Sequence, residues 1–154
     1  MKPNSLTYEE ALYKSASYCS QSEHCISDMK NKFSQWGVEE SDQDRIICYL
    51  VQEKYLDEKR FAIAYVKDKF RYNKWGKIKI RLELNQKRIE KELIEAALET
   101  INPDEYNEMI IRLAKEKEKK LTYRNEYERK GKLYRFLAGK GFEMEAISKI
   151  IGTL

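Results

Sequence analysis

The residues of this sequence whose types and spacing could support a chemical function are a group of closely spaced lysines and arginines. Residues 59–91 carry twelve basic and three acidic side chains, a net charge of +9, whereas residues 1–58 sum to −5 and residues 92–154 to zero. Ammonium and guanidinium groups bind phosphate oxygens through charge-assisted hydrogen bonds. So concentrated a positive charge is typical of a protein that binds a polyanion such as a nucleic acid.

Several of these basic residues follow the period of a helix. At about 100° per residue, four of them fall within roughly 60° of one another, with apolar residues opposite. The four are Arg60, Lys67, Arg71 and Lys74. The pattern predicts an amphipathic helix over residues 57–73 with Asp57 at its N-cap. A solvated helix face is the alternative, but no acidic side chain interrupts the row, so an anionic partner would relieve its self-repulsion.

We expect the binding surface to extend past this helix. Its predicted members are Arg60, Lys67, Arg71, Lys74, Lys77, Lys79 and Arg81. Tyr72 and Trp75 are candidates for stacking on the bases of single-stranded DNA. Tyr72 falls on the apolar side of the helix, however, where an aromatic side chain more often packs into the core. Phe61 and Tyr65 are assigned to core packing.

The thiol and imidazole groups give little support to a metal site or an enzyme. An odd set of cysteines, Cys19, Cys25 and Cys48, with no apolar leader, indicates reduced thiols in the cytosol. A zinc site with His24 would need the adjacent His24 and Cys25 to face one ion, and no CxxC pair exists. We therefore predict no metal, no cofactor and no catalytic residue. No apolar run reaches eighteen residues, so no membrane span is expected.

Helices must position the basic residues, because two prolines and six glycines in 154 residues suit an all-α chain. Capping patterns, among them a capping box at Thr7 and the sequence Asn102-Pro-Asp-Glu105, predict nine helices and no sheet. Residues 77–84, KIKIRLEL, alternate as a strand does, and only an internal repeat favours a helix there. The other helices are expected at about 8–20, 25–35, 42–55, 57–73, 90–101, 102–121, 122–138 and 143–151.

The internal repeat divides the chain into three units. Gly37, Arg88 and Gly141 align at separations of 51 and 53 residues, with apolar residues at matching offsets. Each unit contains three helices, at about 7–56, 57–101 and 102–154, and neighbouring units must stack to bury their apolar stripes. Arg88 stands where the other units have the glycine of a left-handed helix end. In that conformation an arginine would lower the free energy of unfolding by about 1 kcal/mol relative to a glycine.

The residues of the middle unit resemble the RecX family of recombinase regulators. The resemblance is carried by Tyr55-Leu-Asp-Glu-Lys-Arg-Phe-Ala62, Ala64-Tyr65-Val66, Gly76, Ile80, Glu83-Leu84, Lys87, Ile89, Leu93-Ile94 and Ala97-Leu98, and by Glu23-His24, Arg135-Phe136 and Gly141-Phe142 in the flanking units. It covers residues 10 to 151. Arg88 and Cys25 depart from the family, which usually has glycine and often serine there.

The resemblance implies an elongated, curved array of tandem three-helix repeats. It also implies a monomer that binds the RecA–DNA filament in its groove and suppresses strand exchange and ATP hydrolysis, with no active site of its own. The partners would be RecA, single-stranded DNA and, as a second form, double-stranded DNA. A helix-turn-helix protein that reads a DNA sequence is the alternative, although no helix that follows a turn is rich in Arg, Asn or Gln. A repeat that binds only protein is a third hypothesis.

Overall fold

The structure, a computed structural model, describes residues 6–154, and over that range the chain forms nine α-helices and no strand. The all-α prediction is therefore confirmed. Residues 1–5, part of the segment predicted to contain no leader, lie outside the described residues. None of the described helices combines the length and the apolar character that crossing a membrane requires. The helices are α1 (Tyr8–Gln21), α2 (Ile26–Trp36), α3 (Glu40–Gln52), α4 (Glu58–Arg71), α5 (Lys77–Gln86), α6 (Lys91–Leu98), α7 (Pro103–Glu118), α8 (Glu126–Gly139) and α9 (Met144–Ile151).

The helices pack in consecutive groups of three, called here unit 1 (α1–α3), unit 2 (α4–α6) and unit 3 (α7–α9). The three aligned turn residues, Gly37, Arg88 and Gly141, all have left-handed backbones, with φ of 69°, 61° and 97°. In each turn the next N–H donates to the carbonyl oxygen five residues earlier, as at a Schellman helix end. The predicted equivalence of these positions, including the left-handed arginine, is confirmed. The boundaries between the units stay a prediction.

The apolar side chains form two cores. Unit 1 has its own core, which includes Met29, Phe33, Ile46 and Leu50. Units 2 and 3 share the other, which includes Val66, Ile80, Leu84, Ile110, Leu133 and Phe142. The expected stacking of neighbouring units therefore holds most fully between units 2 and 3. Cys25, at the start of α2 and 1% exposed, is the residue of unit 1 that belongs to the shared core.

The alternating segment KIKIRLEL is helix α5, so the strand alternative is wrong. Ile80 and Leu84 are fully buried in the shared core, whereas Ile78 and Leu82 are 48% and 54% exposed. Each pair is one helical turn apart, and the two pairs lie on opposite faces of the helix. The strand-like alternation therefore arises because α5 carries apolar residues on a buried face and on an exposed face.

The joint between units 2 and 3 is closed by backbone contacts. The N–H groups of Gly76 and Ile78, at the start of α5, donate to the carbonyl oxygens of Lys140 and Gly141 at 2.8 and 2.9 Å. A Cβ on Gly76 would lie 2.3 Å from the backbone of Gly141, and one on Gly141 would lie 2.4 Å from Cβ of Lys79. Unit 3 thus satisfies N–H groups that a helix cannot satisfy internally, and this contact fixes the position of α5.

The joint between units 1 and 2 is more open. By the repeat, Cys25 and Ser27 are equivalent to Gly76 and Ile78, yet their N–H groups make no backbone hydrogen bond across this joint to the described part of unit 2. A cleft of about 730 Å³ lies there, between the start of α2 and the turn at Arg88. Arg88 carries a Cβ where Gly141 has none, so the two segments cannot approach as closely. Side chains hold this joint instead.

Candidate nucleic-acid interface

Arg60 is one of the side chains that hold the joint between units 1 and 2. Its Nε donates to Oε1 of Glu23 at 2.6 Å, and its Nη2 donates to the carbonyl oxygens of Lys54 and Tyr55 at 3.1 and 3.4 Å. The bond to Glu23 connects the start of α4 to the segment before α2, and the other two connect it to the link between α3 and α4. The structure therefore gives Arg60 an intramolecular role in addition to the predicted contact with a polyanion, which stays a prediction.

Lys67 and Arg71 lie one turn apart on α4, and both are exposed. Neither forms an ion pair with any residue of the described chain. Arg71 borders a cleft of about 420 Å³ that it shares with Glu105 and Glu108 of α7, so nearby carboxylates partly offset its charge. Lys67 does not line that cleft. The predicted basic row is present here over one helical turn.

Lys74 lies beyond the end of the basic helix, which stops at Arg71 and not at the predicted residue 73. Its backbone is left-handed, with φ of 59°, and the N–H of Trp75 donates to the carbonyl oxygen of Lys69 at 3.1 Å across this turn. The helical angle predicted for Lys74 therefore does not apply. The turn ends α4 because the next residues must reach Gly76, where unit 3 fixes the start of α5.

Trp75 lies between two ammonium groups. Nζ of Lys69 is 5.0 Å and Nζ of Lys79 is 4.6 Å from the centre of a Trp75 ring, and Lys69 also lies 5.3 Å from the ring of Tyr65. Trp75 is half-buried and packs against the shared core. Cation–π attraction therefore holds two lysines beside one aromatic side chain at the surface.

Sequence reasoning missed Lys69. It falls on the side of α4 opposite Arg60 by helical angle, among residues assigned to the core. Its position four residues after Tyr65 was the available signal, because that spacing places a cation beside an aromatic ring.

Tyr72 is 79% exposed, so the core packing that its helical angle favoured is wrong. It is the C-cap residue of α4, where the chain leaves the helix, and its side chain does not follow the apolar face. Phe61 is buried and Tyr65 is half-buried against the shared core, which confirms the packing role predicted for these two residues. Of the two candidate stacking residues, Tyr72 is the one whose ring is open to solvent.

Lys77 and Arg81 lie one turn apart on α5 and contact groups of units 2 and 3. The N–H of Lys77 donates to Oη of Tyr106 at 3.0 Å, and its Nζ lies 4.9 Å from the Tyr106 ring. The Tyr106 hydroxyl donates to Glu143, and burial raises the pKa of Tyr106, so the phenol keeps its proton. Arg81 donates to both oxygens of Glu95, at 2.6 and 3.1 Å, and this hydrogen bonding lowers the pKa of Glu95.

Most of the cations in residues 59–91 form no salt bridge within the described residues. Three of its twelve cations form salt bridges: Arg60 with Glu23, Arg81 with Glu95, and Lys87 with Asp28 at 2.9 Å. The other nine form no ion pair with a residue at positions 6–154. The predicted site residues are not brought together as one row. They are distributed over the exposed turn of α4, the surroundings of Trp75, and the contacts of α5 with Tyr106 and Glu95.

Two of the three thiols, those of Cys19 and Cys25, are buried. Burial raises the pKa of Cys19 to about 11 and also raises the pKa of Cys25. Both thiols therefore stay protonated near neutral pH, and a thiol is a far weaker nucleophile and metal ligand than a thiolate. Over the described residues, no group of three or more Cys, His, Asp or Glu side chains is placed to hold a metal ion.

Two domain profiles match this chain. The profile described as RecX, second three-helix domain, matches residues 57–98, and that described as RecX, third three-helix domain, matches residues 104–151. Together they span more than half of the sequence. The chain belongs to the RecX family. The family resemblance of the middle unit is therefore confirmed, and it extends through unit 3.

Relatives of this RecX chain carry the name regulatory protein RecX. The protein from Vibrio parahaemolyticus is 32% identical over 84% of this chain and 81% of its own length. The protein from Clostridium botulinum (strain Eklund 17B / Type B) is 33% identical over 80% of this chain. That match spans only 58% of the Clostridium protein, and a match to the Leuconostoc mesenteroides protein spans 53% of it, so this chain covers little more than half of these relatives.

Crystal structures of RecX share the fold. RecX from Lactobacillus salivarius has a TM-score of 0.81, with 23% identity, over 96% of each chain. Another crystal structure of regulatory protein RecX also has a TM-score of 0.81, with 24% identity, over 97% of this chain. At this identity the likeness establishes the arrangement of helices in three-helix domains.

Proposed function

We propose that this RecX chain binds the filament that RecA forms on DNA and inhibits strand exchange and ATP hydrolysis by that filament. The observation that carries the proposal is the set of nine cations in residues 59–91 that form no ion pair with a described residue. A filament of protein on DNA offers the phosphates that such a surface binds. The curated relatives are named as regulatory proteins, in keeping with a role that acts by binding and not by catalysis.

The exposed turn of α4 and the surroundings of Trp75 are the parts that would contact phosphate. Lys67 and Arg71 project from α4, while Lys69 and Lys79 flank the Trp75 ring. Lysine and arginine neutralise phosphates without reading a base sequence, which suits a partner that covers DNA of any sequence. Tyr72, which follows Arg71, would stack on an unpaired base.

The other predicted residues would act partly through the fold. Arg60 and Arg81 hold α4 and α5 by their ion pairs with Glu23 and Glu95, whereas Lys74 lies in the turn between these helices and Lys77 begins α5. The partners of the proposal are RecA and single-stranded DNA, with double-stranded DNA as a second form. The chain would act as a monomer in the cytoplasm, where the filament forms.

ATP hydrolysis by RecA on single-stranded DNA, titrated with this protein, tests the proposal. The variant Lys67→Glu with Arg71→Glu should need at least about tenfold more protein for half-inhibition, because it reverses two exposed charges. The matched control is Lys115→Glu with Lys119→Glu, an exposed basic pair of the same spacing near the end of α7. The control should inhibit as the wild type does.

Two results would contradict the proposal in different ways. A wild-type protein that leaves RecA hydrolysis unchanged at saturation would refute the filament-binding function. Equal inhibition by the wild type and the α4 variant, with unchanged far-UV circular dichroism, would refute the role of the α4 surface. Protection of one defined DNA sequence in the absence of RecA would favour the sequence-reading alternative.

A further inference from the structure

Helix α5 exposes two apolar side chains that the fold does not use. Ile80 and Leu84 are buried in the shared core, but Ile78 and Leu82, one turn apart on the other face, are 48% and 54% exposed. A single exposed leucine is ordinary on a soluble protein. Two large apolar side chains at i and i+4 are the pattern by which a helix forms one side of a docking surface.

These two side chains border a groove between α5 and α6, called here the α5–α6 groove. Its volume is about 440 Å³, and it is lined by Ile78, Arg81, Leu82, Asn85, Lys91, Ile94 and Glu95. Ile94 is 2% exposed and belongs to the shared core, so the base of the groove is rigid and apolar. The ion pair of Arg81 and Glu95 connects the two helices along the groove.

The lining of the groove carries one more positive than negative charge. Glu95 is its one acidic lining residue, whereas Arg81 and Lys91 are basic. The hydrogen bond from Arg81, and then the charges of Arg81, Lys91 and Lys77, lower the pKa of Glu95, so these cations lie close to its carboxylate. An occupant complementary to this groove has apolar side chains at its centre and carboxylates beside them.

We propose that the α5–α6 groove docks an apolar segment with flanking carboxylates on a protein partner. Resting on the function proposed above, that partner is a RecA subunit of the filament and not its DNA. The apolar side chains of the groove offer no hydrogen-bond donor to a phosphate, the Arg81 guanidinium is already paired with Glu95, and the Glu95 carboxylate would repel a phosphate. The two surfaces then divide the contact, with phosphates bound by α4 and around Trp75, and protein bound by the α5–α6 groove.

The variant Ile78→Gln with Leu82→Gln tests the groove. Both side chains are exposed and glutamine is a good helix former, so the fold and the shared core should be retained. The matched control is Val51→Gln on α3, a site 47% exposed in unit 1. Fluorescence anisotropy of the labelled proteins measures the Kd for RecA filaments assembled on single-stranded DNA and, separately, the Kd for the same DNA without RecA.

The groove variant should bind filaments about tenfold more weakly, as expected for the loss of central apolar anchors, and should match the wild type on bare DNA. The control should match the wild type in both assays. Unchanged filament affinity would overturn the proposal, and so would a parallel loss on bare DNA, which would make the groove part of the nucleic-acid surface. A wild-type dimer in sedimentation that the variant abolishes would assign the groove to a second copy of this chain.

If the proposed filament-binding function is wrong, the same measurements give a different result from the one that overturns the groove alone. A wild type that binds filaments no better than bare DNA would refute the proposed function, and the RecA subunit would fall with it as the partner of the groove. A wild type that prefers filaments, together with a groove variant that keeps this preference, would leave the function intact and overturn the groove alone.

Discussion

Replacement of Gly141 by alanine should weaken the joint between units 2 and 3. The new Cβ would lie 2.4 Å from Cβ of Lys79 and 2.7 Å from its backbone nitrogen, at a residue whose φ is +97°. A left-handed alanine costs about 1 kcal/mol. Overpacking against a backbone that is itself hydrogen-bonded adds about 2 kcal/mol. Together these terms predict a loss of about 3 kcal/mol, or about 6–12 °C in the melting midpoint for a chain of this size.

Tryptophan fluorescence can assign this loss to the correct core. Trp36 packs against the core of unit 1 and Trp75 against the core that units 2 and 3 share. In a background of Trp36→Phe, only Trp75 reports, so thermal and urea unfolding then follow the joint that contains Gly76. Gly141→Ala should lower the Trp75 transition, and the Trp36 transition, measured with Trp75→Phe, should move less.

Gly139→Ala is the matched control, two residues away on α8. A Cβ at Gly139 meets nothing within 4 Å, and alanine is favoured over glycine within a helix by about 0.5–1 kcal/mol, so this variant should be slightly more stable. If Gly141→Ala is as stable as the wild type, the joint between units 2 and 3 accommodates the added Cβ without strain. The inference that backbone contact with unit 3 fixes the position of α5 would then be refuted.

Two further predictions concern salt and pH. If about five phosphates of single-stranded DNA are neutralised, a plot of the logarithm of the DNA-binding constant against the logarithm of the salt concentration should have a slope near −3.5. The variant Lys67→Glu with Arg71→Glu should reduce this slope to about −2.1. A slope near zero for the wild type would exclude phosphate contacts. Burial raises the pKa of Glu58 above its ordinary 4.5, and its Oε2 has no hydrogen-bond partner among the described residues. The carboxyl of Glu58 thus binds a proton more tightly in the folded chain than in the unfolded one. Its contribution to the stability of the fold is therefore complete below pH 4.5, and it is lost as the pH rises through the raised pKa of the folded state. Glu58→Gln should remove that loss, and parallel pH–stability curves for the two proteins would contradict the burial argument.

The local features of this fold were predictable because they depend on residues three to six positions apart. The side chains of Thr7 and Asp57 accept hydrogen bonds from N–H groups three residues on, as capping predicts. The left-handed turn at Arg88 followed from alignment with two glycines, because each turn repeats the same helix end. Local patterns failed at two helix ends: a left-handed turn at Lys74 interrupts the pattern that continues past Arg71, and α8 begins after Asn125 and not at about residue 122.

The candidate site was less predictable, because a row of cations in sequence does not say which of them find carboxylates. Arg60 pairs with Glu23, 37 residues earlier, and Arg81 pairs with Glu95 on the next helix. Trp75 contacts two lysines, because Lys69 and Lys79 converge on it from two helices. Each of these partners is set by how helices pack, and the two carboxylates lie 37 and 14 residues from their arginines in the chain.

The sequence by itself therefore determined the all-α class, the left-handed turns at Gly37, Arg88 and Gly141, and the charge of +9 on residues 59–91, since all three follow from residue types and short spacings. Only the tertiary structure decided which basic side chains remain uncompensated and which apolar face of α5 stays in solvent. The physical reason is that burial and ion pairing depend on distance in space, and helices remote in sequence supply the neighbours. Ile78 and Ile80 illustrate this, because two isoleucines two residues apart are 48% and 0% exposed.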